Sequence, residues 1–196
     1  MKSHSPVSKM QLSSAAVEVQ RELFRAGFWN EGSRLPKTDI VWCRFPQITV
    51  PDALGFFVYQ THPLHSLLGL KVGHIYVPQY VLVHGFWQER GSLRGILRHE
   101  YGHALAHHYP SLINGKRFQE IFGGKYSDEA FPDDWEGDFV SDYAATNPSE
   151  DFAETFMVYL RSRGELPRCF STPAMGRKWK FIRDLGRVIS SGGCKW

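Results

Sequence analysis

A run of five residues, His99-Glu100-Tyr101-Gly102-His103, constrains this chain more than any other part of its sequence. Apolar residues around it recur at three- and four-residue steps, which predicts a helix. Residues four apart on a helix lie one above the other, so His99 and His103 share a face. Two imidazoles placed in this way can bind one ion at about 2.0–2.1 Å, the bond length typical of zinc. Glu100 lies about a quarter-turn away, where its carboxylate can reach a water molecule without binding the ion.

The remainder of this helix supports that orientation. Ser92 is placed to cap its start, and Pro110 is placed to stop it. We predict that His107 and His108 are helix-end residues favoured by the helix dipole, and that neither is a metal ligand. The face predicted to enter the core, away from the paired histidines, consists of Leu93, Leu97, Tyr101, Ala104 and Leu105.

A third ligand is expected from another segment, because a catalytic zinc usually takes three protein ligands and leaves one position for water. The stretch that starts at Asn147-Pro148 predicts a second helix, which ends at Gly164. Glu150, Asp151 and Glu154 lie near its start, and a divalent ion would balance their charge. Read alone, Glu150 fits better as a residue that caps its own helix, but downstream of HEYGH the interpretation as a ligand is preferred. The residues therefore leave both Glu150 and Asp151 open as the ligand.

The combination of HEYGH with a later Tyr143, Glu150 and Glu154 resembles the gluzincin metallopeptidases. Similar proteins include the catalytic domain of anthrax lethal factor and compact bacterial zinc peptidases. The resemblance covers roughly residues 93–160. It implies that His99, His103 and Glu150 hold one Zn2+ ion, and that Glu154 supports a ligand from behind.

The same resemblance implies a zinc-dependent metallopeptidase that hydrolyses peptide bonds in a protein or peptide substrate. Glu100 would then be the general base, and Tyr143 would stabilise the transition state. Some peptidases of this kind are toxins or effectors delivered by bacterial secretion machines, which would imply a secretion-machine or immunity partner. Two alternatives stay open: a hydrolase of cell-wall peptide (peptidoglycan) with the same zinc centre, and a non-enzymatic zinc-binding module.

The order of predicted elements places the chain in the α+β class, as a small zincin-like domain. A short mixed or antiparallel sheet would precede the HEYGH helix and the second, glutamate-bearing helix. We expect residues 1–10 to be disordered and residues 11–196 to form a single metallopeptidase domain. A first helix is predicted from Ser13 or Ser14 to Ala26, and a last helix over Thr172–Ser190. The apolar stripe predicted for the first helix is Val17, Val19, Leu23, Phe24 and Phe28.

Strands are predicted around Ile40–Cys43, over Ala53–Gln60 and over Lys71–Pro78, with Tyr80–His84 as a continuation or a separate strand. The segment His74–Val83 has two equally weighted interpretations. It could be an edge strand that pairs with an extended peptide substrate, or an internal strand of the sheet.

Other features exclude several classes of protein. No apolar run is long enough for a membrane span, and the first residues lack the apolar core of a secretory signal. We therefore expect synthesis in the cytoplasm and, for an exported protein, a non-Sec route. Aromatic residues between the basic residues of the last helix fit a packed face better than a nucleic-acid surface. The cysteines Cys43, Cys169 and Cys194 are predicted to be reduced, with a Cys169–Cys194 bridge as the alternative.

Overall fold

The computed structural model describes residues 7–43, 55–60, 69–78 and 92–196. Within these residues the chain is a small α+β domain, as predicted from the order of elements. Its helices are α1 (Lys9–Arg25), α2 (Leu93–His108), α3 (Pro110–Ile113), α4 (Lys116–Phe122), α5 (Pro148–Arg161) and α6 (Pro173–Ser190). Its strands are β1 (Ile40–Cys43), β2 (Phe56–Phe57) and β3 (Ile75–Pro78). Two short 3-10 turns cover Leu35–Lys37 and Arg168–Phe170.

The sheet is mixed, with β3 between the other two strands. Strand β3 pairs in parallel with β1, where Ile40 lies opposite Ile75. It pairs antiparallel with β2, where Phe57 also lies opposite Ile75. All four residues of β3 are buried. The edge-strand interpretation of 74–83 is therefore wrong for Ile75 and Tyr76, which pair with a strand on both sides. The described residues pair Val77 and Pro78 with β1 only. Residues 79–83, and the predicted strand Tyr80–His84, lie outside the described residues.

Helix α1 begins earlier than predicted, at Lys9, because Ser8 and Gln11 form a reciprocal capping box that the sequence analysis missed. Lys9 and Met10 therefore belong to the helix. The predicted stripe is also partly wrong, since Val17 and Phe24 are 45% and 66% exposed. The residues of α1 that enter the core recur at three- and four-residue steps and are Leu12, Ala15, Val19 and Leu23.

Helices α2 and α5 cross at close range in the centre of the molecule. Leu97 and Tyr101 of α2 and Phe152 and Phe156 of α5 are fully buried. For Leu97 and Tyr101 this confirms the face of α2 predicted to enter the core. On its other side α2 is joined to α1 by an ion pair in which Arg98 donates two hydrogen bonds to Glu22 at 2.7 and 2.8 Å. Helix α2 is therefore held between α1 and α5.

The last helix closes the core from the side of α4 and α5. Trp179, Phe181, Ile182 and Leu185 are at most 5% exposed, so these residues of α6 form a packed face and not a nucleic-acid surface. All three cysteines are free, and Cys169 is not bridged to Cys194. Among the described residues, no helix combines the length and the hydropathy that crossing a membrane would require.

Candidate metal centre

Three side-chain atoms from α2 and α5 converge on one point. His99 Nε2 lies 3.1 Å from His103 Nε2 and 3.2 Å from Glu150 Oε2. The third separation, from His103 Nε2 to the same carboxylate oxygen, is 3.5 Å. Within the described part of the chain, these residues are the group of three ligand-type side chains close enough to share a metal ion.

The separations fit a tetrahedral zinc site. Zinc bonds of about 2.0–2.1 Å at tetrahedral angles place neighbouring ligand atoms about 3.3 Å apart. In addition, Glu150 Oε2 is buried and makes no hydrogen bond within the described residues. An orphaned carboxylate oxygen that faces two imidazole nitrogens lacks a cation, and a divalent ion would supply the missing partner. The residues present therefore fit zinc.

The far side of His99 is held by Glu154. His99 Nδ1 lies 2.7 Å from Glu154 Oε1, and Ser141 donates a hydrogen bond of 2.8 Å to Glu154 Oε2. The Glu154 side chain is only 1% exposed. A carboxylate in this place holds a proton on Nδ1 and leaves the lone pair of Nε2 free for a metal.

His103 is held in the same way by a residue that the sequence analysis did not identify. Its Nδ1 lies 2.6 Å from the hydroxyl of Tyr126. Burial, followed by the nearby charges of Glu150 and Glu100, raises the pKa of this tyrosine well above its ordinary value. Tyr126 and Ser141 both lie between α4 and α5, in a segment with no motif or periodicity that points to the histidines.

The site is strongly polarised by its carboxylates. Burial acts to lower the pKa of His99, but Glu150 and Glu154, followed by Glu100, outweigh it and raise the pKa to about 9. Burial likewise acts to raise the pKa of Glu150, but the imidazoles of His103 and His99 outweigh it, and the net shift is downward. The pocket thus keeps the Glu150 carboxylate ionised and attracts positive charge, which a dication would supply in place of a proton on the imidazole.

The alternative ligand Asp151 points elsewhere. It is fully buried, and its carboxylate accepts a hydrogen bond of 2.7 Å from Lys178 Nζ of α6. Lys178 also donates to the backbone oxygen of Asp138 at 2.6 Å. Adjacent residues on a helix lie about 100° apart, so only one of Glu150 and Asp151 can face α2. The hypothesis that Asp151 is the ligand is wrong.

Two further predicted residues, Glu100 and Tyr143, lie near His99. Glu100 is 6% exposed, and the backbone of Gly55 covers it, since a Cβ at residue 55 would lie 3.5 Å from Glu100 Cγ. The ring of Tyr143 lies 6.0 Å from the ring of His99, measured between centroids. His107 and His108 are in the last turn of α2, as predicted, and neither is in the metal-binding group.

Comparison with known proteins points to the same chemistry. Residues 86–172 match the sequence model of a family described as "Putative zinc-binding metallo-peptidase". This match supports a zinc metallopeptidase. It contains all six residues that the sequence analysis placed at the site, which are His99, Glu100, His103, Tyr143, Glu150 and Glu154.

The chain is also similar to uncharacterized proteins of Mycobacterium bovis and of two strains of Mycobacterium tuberculosis. Each is 37% identical over 90 residues, which covers 38% of this chain and 26% of the relative. The matched part thus spans about a quarter of the length of these relatives. No solved structure matches the chain.

Proposed function

We propose that this protein is a zinc-dependent metallopeptidase that hydrolyses peptide bonds with His99, His103 and Glu150 as its metal ligands. The observation that carries the proposal is the convergence of three ligand atoms at 3.1–3.5 Å, one of them an orphaned carboxylate oxygen. The family match supports the class of enzyme, and the site geometry supports this choice of ligands.

A bound zinc ion would polarise the scissile carbonyl and make water acidic enough to lose a proton near neutral pH. Glu100 would accept that proton. It lies between the two histidines on α2, is 6% exposed, and is not part of the metal-binding group. The same carboxylate would then pass the proton to the leaving amine. Burial under Gly55 keeps bulk water from competing with that transfer.

Tyr143 would act on the opposite side of the substrate carbonyl. Its ring is half-buried beside His99, so its hydroxyl can donate a hydrogen bond to a developing oxyanion. Hydrogen bonds of this kind contribute about 3–4 kcal/mol to transition-state stabilisation in comparable enzymes. Glu154 and Tyr126 would orient the two imidazoles and take no part in proton transfer.

The test is a peptide-library digest with zinc-loaded protein, using Glu100→Gln as the blank. This substitution keeps the size of the side chain and leaves the three ligands unchanged. We expect cleavage by the wild type, and a loss of at least about a hundredfold in the variant at equal zinc content. Wild-type cleavage by Glu100→Gln would remove Glu100 from the mechanism, and no cleavage of any peptide by the wild type would remove the peptidase.

A parallel incubation with purified peptidoglycan tests the alternative of a cell-wall peptide hydrolase. Its zinc chemistry would be the same, so only the substrate separates the two. Delivery as an effector or toxin, with a secretion-machine or immunity partner, stays a prediction that no feature of the described residues tests.

A further inference from the structure

A second concave site lies away from the metal centre, where the ends of α1, α5 and α6 meet the start of α2. Its cavity has a volume of about 820 Å³ and is lined by residues of all four helices or of their ends. This volume is within the range of small-molecule binding sites, roughly 300–1,000 Å³. Glu150 is in the first turn of α5 and Arg161 is in its last, about 16 Å further along the helix. None of the metal-site residues lines this cleft.

The charge of the cleft is strongly one-sided. Seven of its sixteen lining residues are arginines, whereas a single one, Glu22, is acidic. Glu22 is already used by Arg98 at the base of the cleft. Arg94 pairs with Glu18, which is outside the cleft lining. The arginines that form no ion pair with any described residue are Arg25, Arg161, Arg163 and Arg183.

Helix dipoles explain part of this arrangement. Arg25, Arg161 and Arg187 lie in the last turns of α1, α5 and α6, where positive charge is favoured. Each helix end supplies only about half a negative charge, however. Three of the seven arginines already pair with Glu18, Glu22 and Asp184. The three helix ends offset about one and a half of the four positive charges that are left. A surplus of about two and a half positive charges therefore has no counter-ion among the described residues.

The cleft is also rigid at its base. Gly27 and Gly186 bring the end of α1 into direct contact with α6, since a Cβ on Gly27 would lie 2.8 Å from the backbone oxygen of Gly186. Gly27 has a φ of +84°, which a residue with a side chain rarely adopts. The Arg98–Glu22 pair fixes α2 to α1 beside this contact. The arginines therefore stand on helices whose spacing is set before a ligand arrives.

We propose that this cleft binds a compact polyanion that carries several phosphate groups. Guanidinium groups match phosphate oxygens through paired hydrogen bonds, and the basic residues that line the cleft are all arginine, with no lysine. A nucleic-acid strand is disfavoured, because it needs a series of aromatic stacking surfaces and Tyr159 is the one aromatic residue among the described residues that line the cleft. The ligand is therefore a small molecule or headgroup with clustered phosphates.

The test is calorimetric titration of the full chain with inositol hexakisphosphate and with tripolyphosphate, paired with thermal unfolding. We expect saturable binding of one ligand per chain. At a hundredfold excess over the dissociation constant, the melting temperature should rise by about 5 °C or more. The double variant R161Q/R183Q should bind at least about tenfold more weakly. The matched control R168Q/R177Q removes the same charge from exposed arginines outside the cleft and should bind like the wild type.

Three results would overturn the proposal. They are no saturable binding at millimolar ligand, an equal loss of affinity in the control variant, and tighter binding of a single-stranded oligonucleotide than of either polyphosphate. Vesicles that contain a phosphoinositide distinguish a lipid headgroup from a free ligand. Vesicle binding that soluble inositol hexakisphosphate displaces indicates a headgroup, and saturable binding of the soluble ligand without vesicle binding indicates a free ligand. None of these measurements depends on peptidase activity, so their failure would leave the proposed function untouched.

Discussion

The backbone of Gly102 in α2 lies against Ala153 in α5. A Cβ added to Gly102 would lie 3.0 Å from the Cα of Ala153 and 3.3 Å from its Cβ, which is closer than such contacts normally are. The two helices can cross at this distance only because residue 102 has no side chain. Glu150 and Glu154 flank Ala153 on α5, so the same contact brings both carboxylates to His99.

Gly102→Ala should therefore weaken zinc binding. The added methyl group overpacks the helix crossing, at a typical cost of about 1–3 kcal/mol, which exceeds the gain of about 1 kcal/mol from better helix propensity. We expect a modest loss of stability and a loss of zinc affinity of about tenfold or more, since Glu150 is displaced from the imidazoles. Zinc affinity is measured by competition with a chromogenic chelator.

Gly176→Ala is the matched control for this substitution. Gly176 lies within α6, and a Cβ there would meet nothing within 4 Å. The same chemical change should leave zinc affinity unchanged and raise stability slightly, by up to about 1 kcal/mol. Equal zinc affinities for Gly102→Ala and Gly176→Ala would show that the close crossing is not needed to assemble the site.

Glu154→Gln should lower zinc affinity by about 10- to 100-fold, the usual effect of removing a group that orients a metal-binding imidazole. The carboxylate at 2.7 Å from His99 Nδ1 becomes a neutral amide that attracts the Nδ1 proton less strongly. Zinc titration of the purified variant measures the effect. An affinity equal to that of the wild type would mean that Glu154 does not support His99.

Tyr126→Phe should act on the other imidazole. It removes the hydroxyl 2.6 Å from His103 Nδ1 and leaves the aromatic packing in place, so zinc affinity should fall while the fold is retained. Tyr143→Phe is the useful comparison, because it should lower kcat with little effect on zinc content. The two roles would be refuted by the reverse pattern, with zinc lost from Tyr143→Phe and retained by Tyr126→Phe.

The stability of the metal-free protein should fall in acid, partly because of His108. Burial, with the nearby charges of His107, Arg34 and Lys37, lowers its pKa from 6.5 to about 4. The unfolded chain therefore binds the proton first, and the stabilising contribution is lost as the pH falls from about 6.5 through 4. His108 is only partly buried, so we expect a loss of roughly 1–2 kcal/mol.

His108→Gln isolates this contribution. A glutamine does not titrate and can retain a hydrogen bond to Thr38, whose hydroxyl lies 2.9 Å from His108 Nε2. Urea unfolding of the wild type and the variant at pH 7.5, 5.5 and 4.5, with chelator present, gives the free energy of unfolding of each protein at each pH. The comparison is how steeply that free energy falls with pH in the two proteins. The assignment predicts a shallower acid loss in the variant. Identical pH profiles would contradict it.

The local part of the site could be predicted from the sequence, because helix geometry alone fixes it. His99 and His103 lie four apart on one helix, and their shared face follows from the helical repeat. Glu150 required the resemblance as well, since its neighbour Asp151 has the same chemistry. The choice between them depends on Lys178, which is 27 residues away from Asp151 in sequence and bonds it inside the core.

Apart from Glu154, the groups behind the imidazoles could not be predicted from the sequence. Tyr126 and Ser141 lie in irregular chain between α4 and α5, so no periodicity predicts where their hydroxyl groups point. Similarly, the sheet order that places β3 in the centre depends on pairings between distant segments. The apolar pattern of 74–83 is compatible with an edge strand and with an internal strand, and only the pairing partners separate them.

The central claim is that two imidazoles of α2 and one carboxylate of α5 bind a single zinc ion, and zinc stoichiometry tests it most directly. Elemental analysis of the protein after zinc loading and dialysis should give about one zinc per chain for the wild type. Glu150→Ala should keep its fold and lose most of the metal, because two ligands hold zinc far more weakly than three. A wild type that binds no zinc, or a Glu150→Ala variant that retains a full equivalent, would contradict the claim.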